Sequence, residues 1–332
     1  MQAAAAVSPR EVSGLVGIAQ LAARGRALDS KSKVEYRELP SRSLLNRCAN
    51  ERMPFAWTIN PYRGCEIGCV YCYARYTHEF LGLNDADAFE RKIFAKTHAA
   101  AILRRDLASF RGGAIAIGTS TDPYQPAERR YGVTRSLLEV FAEGKGRNVS
   151  ITTKSNLVLR DIDLLQAAAK NNRISVSLTV TTMDEALARR LEPRAIRPVL
   201  RLQAVMRLAK AGIRVGVFAS PVLPRITDSQ QSLDAIAVAA AAAGAKYFTG
   251  GSVFLMPSTQ QKFFPFLEKE FPDLAEPYRR RFGQDAYLRG EAAERIAERI
   301  ETARRRSSLP APDRAAPAVK EQPPLQRTLF EP

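Results

Sequence analysis

The stretch Asn60-Pro-Tyr-Arg-Gly-Cys-Glu-Ile-Gly-Cys-Val-Tyr-Cys-Tyr-Ala-Arg75 places three of the chain's four cysteines, Cys65, Cys69 and Cys72, within eight positions. Four cysteines in 332 residues are too few for a disulfide scaffold, and three of them are too clustered to be scattered core thiols. The stretch follows a β-rich run, Ala56–Tyr62, and its end should open a helix. A loop of this spacing, running into a helix start, lets three sulfurs converge on one centre. Gly64 and Gly68 allow the close backbone approach that such wrapping needs. Three thiolates are one short of the four that a [4Fe–4S] cluster takes from ferredoxins, which leaves one iron open to a ligand. A structural zinc site with His78 as fourth ligand is the competing reading. Cys48, in a polar setting, reads as incidental.

Outward from this loop the chain alternates strand and helix. Further β-rich runs lie at Ala114–Ser120, Asn148–Lys154, Ile174–Val180, Arg214–Val222 and Lys246–Phe254. Helical patterns lie near Thr134–Ala142, Asp161–Lys170, Pro198–Ala211 and Ser232–Ala243. Asp161 and the pair Thr182/Glu185 supply helix starts, and Gly212 and Gly244 supply stops. Alternation of this kind predicts an α/β fold with a parallel sheet. Six units fit either an open doubly wound sheet or an incomplete barrel. The strands end in polar, turn-forming residues, where such folds collect their functional groups.

Composition bounds the rest. The chain is 45% apolar and 25% charged, ordinary for a globular protein. No run of eighteen apolar residues occurs, so no membrane-spanning helix is expected. Fifty Lys+Arg against 34 Asp+Glu give +16, which favours phosphate backbones or anionic surfaces and equally fits an arginine- and alanine-rich coding bias. The expected organisation is an N-terminal extension, partly disordered, over 1–50; a core over 51–260; a helical segment over 261–306; and a flexible Pro-rich tail over 307–332. Unpaired thiols point to a reducing compartment, the cytoplasm.

The cysteine loop, with an aromatic before its last cysteine, resembles the radical S-adenosylmethionine (radical SAM) superfamily. Its companions Thr121-Asp-Pro-Tyr-Gln-Pro126, Thr153-Lys-Ser155, Arg160-Asp161 and Leu191-Glu-Pro-Arg194 resemble the subgroup of spore photoproduct lyase, or DNA repair photolyase-like, proteins. The resemblance covers roughly residues 50–260. It implies a partial (β/α)6 TIM-type barrel holding a [4Fe–4S] cluster on Cys65, Cys69 and Cys72. It also implies S-adenosyl-L-methionine on the open iron, a 5′-deoxyadenosyl radical as hydrogen abstractor, and a reductant such as a flavodoxin or ferredoxin. By the same resemblance Tyr71 lies near the adenine, and Lys154 and Ser177 meet the methionyl carboxylate and the ribose. Asp122 is held rigidly at the mouth by its Asp-Pro turn. Tyr71 and Tyr73 are candidates for a radical relay.

One position departs from the subgroup. Thr119 stands at or beside the place where spore photoproduct lyases carry a hydrogen-donating cysteine, so spore photoproduct cleavage is not expected. A nucleic-acid or nucleotide substrate is favoured over a peptide or small metabolite. A non-catalytic zinc-bearing nucleic-acid-binding module is the distant alternative. The tail Leu325-Gln-Arg-Thr-Leu-Phe330-Glu-Pro resembles peptides that dock on the bacterial sliding clamp, with Leu329 and Phe330 as apolar anchors and Gln326 setting register.

Overall fold

The computed structural model describes residues 15–31, 33–50 and 53–313. Gln326, Leu329 and Phe330 lie outside these residues. Six parallel strands stand side by side in chain order: β1 Trp57–Ile59, β2 Ala114–Ile117, β3 Asn148–Thr153, β4 Arg173–Thr179, β5 Arg214–Val222 and β6 Phe248–Ser252. Neighbours that are parallel and consecutive need a crossover each, and helices supply it. These are α1 Ala99–Ala108, α2 Val133–Glu143, α3 Ile162–Ala169, α4 Pro198–Lys210 and α5 Gln230–Ala242. β1 and β6 do not pair with each other, so the sheet does not close into a full barrel. A two-residue strand, Asn46–Arg47, pairs antiparallel with β1 at one edge.

The wall is apolar where strands meet helices. Val149, Ile151, Val176, Leu178, Val215 and Val217 are fully buried, together with Leu137, Leu165, Val205, Leu208 and Ile236 from the helices. Each such side chain contributes about 1.5–3 kcal/mol on burial. Gly212 and Gly244 take φ of 76° and 83° just past α4 and α5, as the stop signals predict. The start signals behave differently. Asp161 sits at the cap of α3 but spends its carboxylate on Arg135 (2.8 Å) and Arg160 (2.7 Å). The short helix Glu185–Leu191 is capped by Asp184, which accepts from the Ala186 and Leu187 amides, and not by Thr182. A carboxylate one turn-start closer outcompetes the hydroxyl.

The run Ala56–Tyr62 splits at Asn60-Pro61. β1 ends at Ile59, and Tyr62–Arg63 joins a second sheet with Lys92–Ala95, Val34–Glu38 and Ala27–Lys31. Residues within 1–50 are therefore built into the fold: this hairpin and a helix, Gly17–Arg24, whose Ala22 packs with Leu39, Leu81 and Phe94. The strand Val34–Glu38 buries only Tyr36 among charged neighbours, which leaves little hydrophobic pattern to read.

After β6 come α6 Pro257–Glu270, α7 Pro272–Phe282 and α8 Glu291–Arg306. α8 packs on β6 and α5. The carbonyl of Pro310 then accepts from the Phe248 amide (3.0 Å), which covers part of the free edge of β6. No helix among the described residues is long and apolar enough to cross a membrane.

Candidate active site

The cysteine loop crosses the C-terminal end of the strands and is tied down along its length. Gly64 has φ 80°, and a Cβ there would stand 2.7–2.8 Å from the Lys92 and Phe89 carbonyls, so only glycine fits. Gly68, at φ 68°, lies against the Glu90 carboxylate. The Cys65 amide donates to Phe89 O (2.9 Å) and the Val70 amide to Leu191 O (3.0 Å). Thr121 and Gln125 grip both flanks of Cys65. The Thr121 hydroxyl and the Gln125 amide donate to Gly64 O (2.6 and 3.0 Å), and Gln125 Oε1 accepts from the Glu66 amide (2.9 Å). Buried Arg75 donates to Cys69 O (3.0 Å) and pairs with Glu90 (2.8 Å). Arg194 holds the Glu66 carbonyl (2.8 Å).

Cys65 and Cys69 are buried and Cys72 is half-buried. Burial pushes all three thiols up, Cys69 to about 12; Cys69 and Cys72 raise Cys65 further, and Cys72 raises Cys69. Among the described residues no three Cys, His, Asp or Glu side chains, these cysteines included, gather closely enough to hold a single metal ion. Thiolates at the corners of a cluster stand farther apart than ligands of one ion, so the donor set suits an iron–sulfur cluster. The zinc reading loses its fourth ligand. His78 turns away, with Nε2 3.0 Å from the Lys92 carbonyl and its ring edge-on to Phe89 and Phe94. Cys48 lies beside the edge strand, its sulfur near Asn50 O.

A charged knot backs the loop. Tyr71 donates to Glu192, and its hydroxyl lies 3.1 Å from that of Thr181. Glu192 also pairs with Arg201, and both charged groups are only 1% exposed. Burial alone would raise the Glu192 carboxyl, but Arg201 and Lys154 bring it down to about 2. Lys154 sits 5.9 Å over the Tyr71 ring. Burial pulls its amine down, yet the Cys69, Glu192 and Asp122 side chains outweigh burial and hold it above its ordinary value. Tyr71 and Lys154 thus stand together beside Cys69.

The other expected residues divide. Asp122 is buried and held from three sides: it accepts from the Tyr124 amide (2.9 Å), the Thr153 hydroxyl (2.6 Å) and the Lys154 amide (2.7 Å). Its bond to the Lys154 amide positions that residue. Ser177 lies inside β4, not at its end, and its hydroxyl is 2.8 Å from that of Tyr247. Thr181 occupies the strand-end place. Thr119 is at the mouth, its hydroxyl 3.2 Å from Asn60 Nδ2, and its carbonyl accepts from Tyr73. Thr121, Gln125 and Arg201 escaped assignment from sequence. The first two stood in a quoted motif, but nothing local says that their partners lie some sixty residues upstream.

From Tyr73 a row of rings runs outward. Tyr73 meets Tyr76 (6.5 Å between centroids) and Phe254 (4.4 Å); Tyr76 meets Phe80, and Phe254 stacks on Tyr287 (5.2 Å). Phe80 and Tyr287 are 58% and 50% exposed, and Arg289 covers the Tyr287 ring.

The family model of the radical SAM superfamily matches residues 59–236, from the end of β1 into α5. The chain belongs to the radical SAM superfamily. An uncharacterized protein of Mycobacterium tuberculosis is 36% identical over 302 residues, covering 90% of this chain and 88% of that one. One from Methanocaldococcus jannaschii is 28% identical over 248 residues, covering 74% and 87%. Among solved structures, a spore photoproduct lyase variant superposes with a TM-score of 0.61 at 16% identity over 81% of this chain and 78% of that one. Spore photoproduct lyase complexed with dinucleoside spore photoproduct gives 0.60 over the same shares. This likeness shows the shared partial barrel. The protein is thus a radical SAM enzyme, a class that uses S-adenosylmethionine and an iron–sulfur cluster and needs a reductant.

Proposed function

We propose that Cys65, Cys69 and Cys72 hold a [4Fe–4S] cluster, and that this radical SAM enzyme acts on a nucleic-acid or nucleotide substrate. When bound, cluster and S-adenosylmethionine supply reductive cleavage of a carbon–sulfur bond and an adenosyl radical that takes hydrogen from substrate. The chain's own groups bind and orient. Lys154, kept protonated beside Glu192, offers its ammonium to the methionyl carboxylate. Tyr71 presents a buried ring face whose hydroxyl is anchored on Glu192. Ser177 stays with Tyr247 and receives no ligand role. A flavodoxin or ferredoxin delivers the electron.

The observation that carries the substrate class is the row of rings ending at Tyr73, next to Cys72 and hydrogen-bonded at the mouth. Unstacked bases find such platforms favourable by about 1–3 kcal/mol each. Spore photoproduct cleavage is not part of the reading, because Thr119 offers an O–H, a poor hydrogen-atom donor to carbon.

Anaerobic purification tests the cofactor half. A brown protein with about four irons that forms 5′-deoxyadenosine under reductant supports it. Colourless zinc-loaded protein, or a Cys69→Ala variant retaining iron and activity, refutes it. For the substrate half, deuterated single-stranded DNA is incubated with the loaded enzyme. Deuterium in 5′-deoxyadenosine supports the reading, while label drawn only from peptide or metabolite pools moves the protein to that class.

A further inference from the structure

Lys96 is 7% exposed, yet its ammonium has no hydrogen-bond or ion-pair partner among the described residues. Its amide donates to Pro61 O (3.2 Å), which places it beside Asn60 at the barrel mouth. Across the small sheet, Arg63 pairs in register with Phe94, on the same side of the strand as Lys96. Arg63 spends one N–H on Thr77 O (3.1 Å) and faces no carboxylate among the described residues. The acid beside it on the neighbouring strand, Glu38, in register with Ala95, is already taken by Thr97, His98 and Arg26. Two cations thus share a largely dry corner with no counter-charge among the described residues. Burial, and after it Arg63, brings the Lys96 amine down to about 8, so it remains mainly charged at neutral pH.

A largely buried ammonium without a counter-charge is costly, and a guanidinium beside it adds to the cost. The corner also has a direction. Tyr76 lies close to Arg63, and the rings of Tyr76 and Tyr73 lead from there to Thr119 at the mouth. A group bound between the cations would be followed, one ring's breadth away, by a flat surface leading to the cysteine loop.

We propose that Lys96 and Arg63 form a phosphate-binding subsite that anchors the substrate at the lip of the barrel while its ring lies on Tyr76 or Tyr73. The charge match is a dianionic or diester phosphate, with Arg63 offering a fork of N–H donors and Lys96 a point charge. That the phosphate belongs to a nucleotide rests on the reading above; the subsite itself does not.

Binding to the cluster-loaded full chain is measured anaerobically for four probes: a labelled ten-nucleotide single strand, thymidine monophosphate, inorganic phosphate and thymidine. Wild type is compared with Lys96→Met and Lys96→Arg. Lys96→Met is expected to weaken the phosphate-bearing probes about tenfold and leave thymidine unchanged. It is also expected to cut the salt dependence of strand binding by about one charge and to melt no lower than wild type. Lys96→Arg restores most of the binding. Equal affinities and salt slopes for wild type and Lys96→Met overturn the subsite, as does equal weakening of thymidine or no binding of any phosphate. If phosphate and the mononucleotide bind through Lys96 but the strand does not, the subsite stands and the nucleic-acid reading falls. If the strand binds wild type and Lys96→Met alike, the reverse holds.

Discussion

Glu192 and Arg201, nine residues apart, form an ion pair that is 1% exposed on both sides, and Tyr71 beside the cysteine loop donates to the same carboxylate. Arg201 also holds Thr179 O (3.0 Å) and Ile196 O (2.9 Å), which locks the end of β4 to the start of α4. A buried charge is tolerated only while its partners are in place.

Arg201→Met is therefore expected to cost about 3–5 kcal/mol of stability, because it strands the Glu192 carboxylate in an apolar wall. Glu192→Gln/Arg201→Met should recover part of that loss. Urea denaturation of the three proteins checks the order. A single variant as stable as wild type would show that the pair is not buried in solution.

Gly64 governs the loop more than the barrel. A methyl group there meets the Lys92 and Phe89 carbonyls at 2.7–2.8 Å in a left-handed conformation. Gly64→Ala should leave the far-ultraviolet circular dichroism of the barrel intact while reducing bound iron severalfold. Iron content equal to wild type after anaerobic reconstitution contradicts this.

His78 sets a pH dependence of stability. Burial foremost lowers its pKa from 6.5 to about 4. The unfolded chain takes up the proton near 6.5, whereas the folded one resists it until about 4. This contribution is thus full above pH 6.5 and is lost as pH falls from 6.5 to 4. Between pH 7 and pH 5 the loss amounts to about 2 kcal/mol. Chemical denaturation at both pH values measures it, and His78→Phe should flatten the difference by that amount.

The tail carries its own test. If Gln326, Leu329 and Phe330 dock on a sliding clamp, immobilised clamp retains the full chain but not Leu329→Ala/Phe330→Ala. Equal retention ends the idea.

Much of this protein is written locally. The cysteine spacing, Gly64 and Gly68, and the β-rich runs with Gly212 and Gly244 as stops announce a cluster loop on an α/β alternation, because thiol spacing, positive φ and periodicity act over a few residues. The small sheet was illegible, since strands such as Val34–Glu38 bury one residue among charges and owe their pairing to Lys92–Ala95, more than fifty residues away. Asp122 shows the same divide inside one motif. Its turn is local, but its other partners, the Thr153 hydroxyl and the Lys154 amide, arrive only when β3 is laid beside β2. The sequence by itself determined the three thiols, the alternation and so the superfamily. The tertiary structure decided that the sheet closes only partway, that Asp122 bonds the Lys154 amide and Ser177 meets Tyr247 while Thr121 and Gln125 grip the loop, and that Lys96 lies near Arg63 with no acid between them among the described residues. Long-range hydrogen bonds and the burial of charge depend on which distant segments are brought together, and no short stretch of chain encodes that.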